Sequence, residues 1–482
     1  MKTKSYFFQS FAIVLLATVA FIGFKQFLPK KIFSESAPDS KNVLIDSMLL
    51  DAVAKDVKAT TKDTLVNKKI VFDPTFGVTF PAEKFEEYKG YQYLISFYEK
   101  LYQLETNPES ENVRIAYFGD SMTDGDMIVQ DLRADYQAKF GGQGVGFVSI
   151  TSESAASRGS ITHQYSGNWK TQSYLNVKKP RSPFGVNGHV FFANDTAHIE
   201  WVRFKANTTR FATMLDNPTL FYGKSSNLNG KVNVIIGKDT IVKSLTPNNL
   251  VNTLKVSSNS IKGFKADFIK ADSIPIFGFN FDDGKGVHVD NFSQRGNSGL
   301  PISTFNPAVM QAFNNKLGYD LIVLHYGTNV LNYGTKDYTW YDRSMTKTVN
   351  HLKECFPGVA ILIVSTADKG TKYDLEMKTD SAVVPLTVAQ KRYALKTQSG
   401  FVNLYTLMGG DGSMVKWVEE EPVKANKDYT HFNHRGAKKI AGLLYEQLNQ
   451  GYEKYKALRQ KRKPAAKKSP DSTGIKKDSV NA

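Results

Sequence analysis

From residue 287 to about 450, short runs that are apolar throughout alternate with stretches long enough and amphipathic enough to be helices. Strands are expected at 287–291, 321–325, 360–365 and 401–403, and helices at 338–355 and 387–397. Strands buried on both faces lose the in–out alternation of a half-exposed sheet. This rhythm therefore predicts a parallel sheet covered by helices on both sides. A fifth run, Val113 to Phe118, leads into Gly119-Asp-Ser-Met-Thr-Asp-Gly125, small and turn-prone residues that end a strand and place Ser121 at the lip of the sheet. A helix is expected over 127–140. Another is expected over 88–104, where Tyr93, Leu94, Phe97, Tyr98 and Leu101 share one face. Ligands of such sheets gather beyond the carboxyl ends of the strands.

Between 151 and 286 the pattern changes to short alternating strands separated by Asn, Gly and Asp turns, which predicts an inserted β-sandwich module interrupting the α/β domain. Trp169, Trp201, Phe221 and Tyr222 are its candidates for carbohydrate contact, each weighed against a place in the core. The α/β domain is thus expected in two parts, 81–150 and 287–452. Residues 32–80 read as a polar linker with one helix at 44–57 and no chemistry. Gly141-Gly-Gln-Gly144 lacks both a preceding strand and a following Lys-Ser or Lys-Thr, so it is a tight loop and not a phosphate cradle.

The ends carry most of the charge asymmetry. The formal net charge of the 482 residues is +16. Ten lysines and arginines between Lys454 and Lys477 face Asp471 alone, so 453–482 reads as a basic disordered tail and not as a nucleic-acid surface. At the other end no charge occurs from Ser5 to Phe24, a run long enough to span a bilayer as a helix. Residues 1–31 are therefore expected to be a membrane anchor, with a cleaved signal segment as the alternative. Lysines flank the run on both sides, so charge does not orient it. The single cysteine, Cys355, excludes an internal disulfide.

Three further segments stand with the Ser121 turn: Asn291-Phe-Ser-Gln-Arg-Gly-Asn-Ser-Gly299, the apolar run ending in Gly327-Thr328-Asn329, and Asp428-Tyr-Thr-His431 before a helix at 435–448. Together they resemble the four sequence blocks of the SGNH (GDSL-type) hydrolases, with Ser121, Gly299, Asn329 and His431 on the four letters. Residues 403–417 and 428–436 are similar to the C-terminal part of bacterial SGNH O-acetylesterases acting on peptidoglycan, although Val330 stands where many relatives have an acid. The resemblance implies a flavodoxin-like SGNH fold, a body on the outer side of the membrane or in the periplasm, and no metal or organic cofactor. It also implies a substrate among acetylated polysaccharides.

The residue types suit that chemistry. A serine hydroxyl attacks an ester only when a base takes its proton, a role for His431, oriented by Asp428. The oxyanion formed needs donors already in place: the N–H groups of Ser121 and Gly299 and the side-chain amide of Asn329. His434 is the competing base, lacking an acid three residues upstream, and His325 is a packed strand residue near the site. The expected function is O-acetyl removal from a cell-envelope polysaccharide. The alternatives are a lipase or thioesterase, or a non-catalytic glycan-binding protein with the same fold.

Overall fold

The computed structural model describes residues 46–54, 69–107, 112–193, 198–331, 333 and 336–461, with residues 12, 14–16 and 18. The chain divides into two units, Met1–Val43 and Leu44–Ala482. Of the first, the five described residues are helical. The expected anchor at 1–31 otherwise lies outside the described residues, as does the tail from 462. Among the described residues no helix is long and apolar enough to cross a membrane.

The second unit is built on a five-stranded sheet in the spatial order Gly286–Asn291, Asn112–Gly119, Tyr319–His325, Ala360–Val364, Gly400–Val402. Every neighbour pair is parallel. Numbered along the chain, that order is 2-1-3-4-5, the flavodoxin-like arrangement, with its switch between the strands carrying Ser121 and Asn329. Ile95–Thr106 and Val129–Phe140 pack with the C-terminal helix His434–Gln460, and Thr339–Cys355 packs with Pro307–Leu317 and Val383–Lys396. The central strands are buried along nearly their whole length, as their unbroken apolar runs require.

The inserted module is a sandwich of two antiparallel sheets. One has the order Asp239–Ser244, Lys231–Ile236, Gly263–Ile269, Glu200–Ala206, Ile161–Tyr165. The other runs Val251–Lys255, Thr219–Gly223, Ile276–Phe281, His189–Phe192, Lys170–Ser173, with Gly146–Ser149 also paired to Ile276–Phe281. Its first strand thus starts five residues before the expected boundary at 151. Phe204 joins the sheets through ring contacts with Phe279 and Phe281, at 5.4 and 5.1 Å between centroids. The second sheet is buried on its other face too. There Phe147, Phe221 and Phe277 surround Phe313 of the helix Pro307–Leu317, at 6.4, 5.9 and 5.1 Å. The module is consequently fused to the α/β domain through a common aromatic core. Trp169, Phe221 and Tyr222 are buried, leaving Trp201 half-exposed.

A buried ion pair crosses the same junction. Arg114 Nη1 donates to both carboxylate oxygens of Asp290 at 2.9 Å and to Asn280 at 3.2 Å, and its Nη2 donates to Asp282. Asp290 also accepts the Phe147 N–H and the Tyr319 hydroxyl. Asp290→Ala would strand a buried guanidinium and should lower unfolding stability by about 3–5 kcal/mol, read from chemical denaturation.

Two stretches are more ordered than expected. Within 32–80, the helix Ser47–Ala54 falls inside the helix expected at 44–57, and Leu49, Ile70, Phe72, Val78 and Phe80 are buried in the main core. The C-terminal helix runs on to Gln460, beyond the limit expected at 448. It does so because Tyr452 and Tyr455 pack on Tyr98, at 6.2 and 6.0 Å, and Arg459 reaches both oxygens of Glu99. Composition registers the basic residues of this segment but not the buried tyrosine stripe between them.

Candidate active site

The strand Asn112–Gly119 ends at Asp120, whose carboxylate accepts the Met122 N–H at 2.9 Å and whose carbonyl accepts the Thr123 and Asp124 N–H groups at 3.3 and 3.1 Å. This tight turn leaves Ser121 half-buried at the carboxyl end of the sheet. Burial pushes the Asp120 carboxyl up to about 6, with the Met122 N–H and the His431 ring pulling the other way.

The loop before the C-terminal helix carries His431. Asp428 Oδ1 accepts the N–H groups of Thr430 and His431, both at 3.0 Å, which folds the Asp-Tyr-Thr-His segment so that Asp428 Oδ2 lies 2.8 Å from His431 Nδ1. The other ring nitrogen, Nε2, lies 2.9 Å from Ser121 Oγ. Partial burial alone would raise the Asp428 carboxyl. The hydrogen bonds from the His431 ring and from the two N–H groups outweigh that and hold it down to about 2. A carboxylate ionised at neutral pH makes His431 Nδ1 the donor and leaves Nε2 free to accept the serine proton. The structure thus brings Asp428, His431 and Ser121 together in one hydrogen-bonded row, across 310 positions of sequence.

The competing histidines are elsewhere. His434 is the exposed first residue of the C-terminal helix, next to Asn433, whose side chain caps that helix through the Arg435 and Gly436 N–H groups. His325 is buried against the Tyr117 hydroxyl at 2.9 Å, and burial pushes its ring down to about 4.

The three groups expected as oxyanion donors differ in how they are engaged. The Ser121 N–H has no protein acceptor among the described residues. Asn329, two residues past Gly327, is half-buried and donates from Nδ2 to the Asn297 carbonyl at 3.1 Å, leaving its second amide hydrogen. Gly299 departs from expectation. Its N–H donates to Asn297 Oδ1 at 2.9 Å, and its α-carbon is packed so closely that a Cβ would meet the Tyr326 ring at 2.8 Å. A donor already engaged and walled in by aromatics is unsuited to a developing oxyanion. Gly299 instead opens the 3₁₀ turn Leu300–Thr304. The other glycine of the segment, Gly296, is half-buried with φ 77°, and no hydrogen bond from its N–H is found among the described residues. It stands between Arg295, whose Nε reaches Asp124 at 2.9 Å, and Asn297, whose carbonyl takes the Asn329 amide. The sequence offered two glycines three apart. The hydrogen bond and the packing of one distinguish them.

Asp46, read as part of a linker, supports this turn from behind. Its Oδ1 caps the helix Ser47–Ala54 at the Met48 and Leu49 N–H groups (3.0 and 3.2 Å), and its Oδ2 accepts both the N–H and the hydroxyl of Ser298. Removal of residues 1–31 should therefore leave hydrolysis of a small neutral ester unchanged. Extending the cut to residue 60 should lower kcat at least about tenfold, because Ser298 loses a buried partner and the turn its brace. Steady-state assays of the two truncated proteins check both halves.

The fold, as distinct from the site, is shared with a solved structure. A structure described as a peptidoglycan O-acetylesterase superposes with a TM-score of 0.61 over 74% of this chain and 96% of its own, at 20% identity. The fold is that of the SGNH hydrolases. A carbohydrate esterase family 2 enzyme with a carbohydrate-binding domain, from Corynascus thermopiles, aligns over 60% of this chain and 99% of its own at 13% identity, with a TM-score of 0.26. No protein-family model matches the chain, and no curated protein does. On the SGNH fold the nucleophile turn, the Arg295–Gly299 turn and the Asn329 turn meet at one end of the sheet, and the Asp428–His431 loop closes the set.

Proposed function

We propose that this chain is a serine esterase that removes O-acetyl groups from a cell-envelope polysaccharide such as peptidoglycan. The observation that carries the esterase reading is the continuous relay from Asp428 through His431 to Ser121 Oγ, with distances of 2.8 and 2.9 Å. His431 Nε2 takes the proton as Ser121 Oγ attacks the acetyl carbonyl. The carbonyl π-electrons move onto oxygen, which is held by the N–H groups of Ser121 and Gly296 and the free amide hydrogen of Asn329. Collapse breaks the bond to the sugar oxygen, which leaves with the proton from His431. Water, deprotonated by the same imidazole, then attacks the acetyl-serine; acetate departs and Ser121 recovers its proton.

The polysaccharide half of the reading is supported by the fold shared with a peptidoglycan O-acetylesterase and by the β-module fused beside the site. We further place the body outside the cytoplasmic membrane, tethered by residues 1–31. A fluorophosphonate probe should label Ser121, and acetate should be released from acetylated envelope polysaccharide faster than longer acids from p-nitrophenyl esters. Labelling absent from Ser121 in folded protein would remove the esterase reading. A preference for long acyl chains would replace the acetyl one.

A further inference from the structure

A cavity of about 280 Å³ lies between the module and the site, within reach of one sugar ring. Asp124, Gln294 and Arg295 line it from the two turns that carry Ser121 and Gly296, while Arg158, Asn187 and His189 line it from the module side. The two sides touch closely: a Cβ on Gly125 would meet Ser157 Cβ at 2.6 Å, and Ser154 Oγ donates to Asp124.

Arg158 is the unusual member. Its side chain is 8% exposed, yet Nε and Nη1 are buried atoms with no hydrogen-bond partner. The nearest carboxylate oxygen, Asp126 Oδ2, is 3.6 Å from Nη1 and is already committed: Arg133 grips both oxygens of Asp126 at 2.9 and 3.0 Å. Asp124 is engaged by Arg295 and Ser154, and Glu153, also lining the cavity, is exposed to solvent. A buried guanidinium is costly unless it is paired and hydrogen-bonded. Burial indeed holds Arg158 below its ordinary value despite Asp126. Gln294 and Asn187 add amides at the same wall, and His189, pushed down to about 4 by burial, stays neutral there.

We propose that this cavity is a subsite for a carboxylate-bearing sugar of the substrate, and that Arg158 is its specificity-determining residue. The planar fork of Arg158 would take the carboxylate in a charge-assisted pair, seating the neighbouring acetylated ring against Ser121. The inference rests on the polysaccharide-esterase reading of the site and narrows its substrate to an anionic glycan.

The test uses sugars without an ester, so that it does not depend on turnover. Methyl glucuronide, methyl glucoside, glucuronamide and N-acetylmuramic acid are each titrated into the intact protein and followed by ligand-observed NMR. The glucuronide should bind about tenfold or more tightly than the glucoside and the uncharged amide. Tight N-acetylmuramic acid with weak glucuronide would equally support the site, assigning the carboxylate to an ether side chain and not to the ring. Arg158→Gln should abolish the preference, and Arg158→Lys, which keeps charge without the fork, should retain part of it. Equal binding of charged and neutral sugars would overturn the proposal, as would a preference that survives Arg158→Gln. If Arg158→Gln does not fold, the comparison of glucuronide with glucuronamide on the unaltered protein still decides. Failure of the esterase reading would show separately, as Ser121 unlabelled by fluorophosphonate while the sugar preference persists.

Discussion

Replacing His431 by alanine or glutamine should lower kcat on the order of 10⁴-fold or more, matching Ser121→Ala, because the two side chains meet at 2.9 Å and act as one unit. The double replacement should then be little worse than either alone. Asp428→Asn should be about ten- to hundredfold less damaging. Its carboxylate orients the ring without touching the reacting atoms, and half of its side chain is exposed, so water can partly substitute. The Asp428 carboxyl, held down to about 2, stays ionised wherever esters are normally assayed, so its charge should not limit activity there. His434→Ala should stay within about tenfold of the unaltered protein, a smaller loss than removal of a general base would cause. Steady-state kinetics on a small acetyl ester with each folded variant check the set. An active His431→Ala beside an inactive His434→Ala would transfer the role of base.

Asn329→Ala should cost about 100-fold or more in kcat with KM nearly unchanged, since a donor to the oxyanion gains most of its strength in the transition state. One of its amide hydrogens braces the Asn297 carbonyl, so the substitution also loosens the turn that presents the Gly296 N–H. A loss confined to KM would assign Asn329 to ground-state binding. Gly299→Ala provides the contrast. A Cβ there meets Tyr326 at 2.8 Å in a backbone with φ 90°, so its damage should appear first as lowered thermal stability.

How much of this was legible in the sequence follows from how local each determinant is. The Asp428–His431 pair is written within four residues, because Asp428 folds its own loop through the Thr430 and His431 N–H groups and so points its free oxygen at the ring. Ser121 is equally local: a buried strand ends, and Asp120 caps the turn that exposes the hydroxyl. The parallel sheet could be read from apolar runs that lack alternation, and its strand ends nearly coincide with those expected.

The features that sequence misassigned depend on partners far away in the chain. Asp46 becomes part of the site's support only because Ser298 lies 252 residues on, and 453–460 is helical only because Tyr98 and Glu99 await its Tyr455 and Arg459. Gly296 and Gly299 are chemically alike; the side chain of Asn297 engages one N–H, and the packing of Tyr326 walls it in. The alternating strands announced an inserted module but not its junction: the Phe147, Phe221 and Phe277 side chains turn outward to enclose Phe313, and no local pattern announces which aromatic will find which partner. Sequence by itself determined the sheet, the turn that presents Ser121 and the Asp428–His431 pair, since hydrogen bonds within a turn and burial along a strand are set by near neighbours. Tertiary structure alone decided the Gly296 turn, its brace and the Arg158 guanidinium left short of hydrogen bonds beside the site, because a buried polar group is satisfied or left wanting only by what the completed fold packs against it.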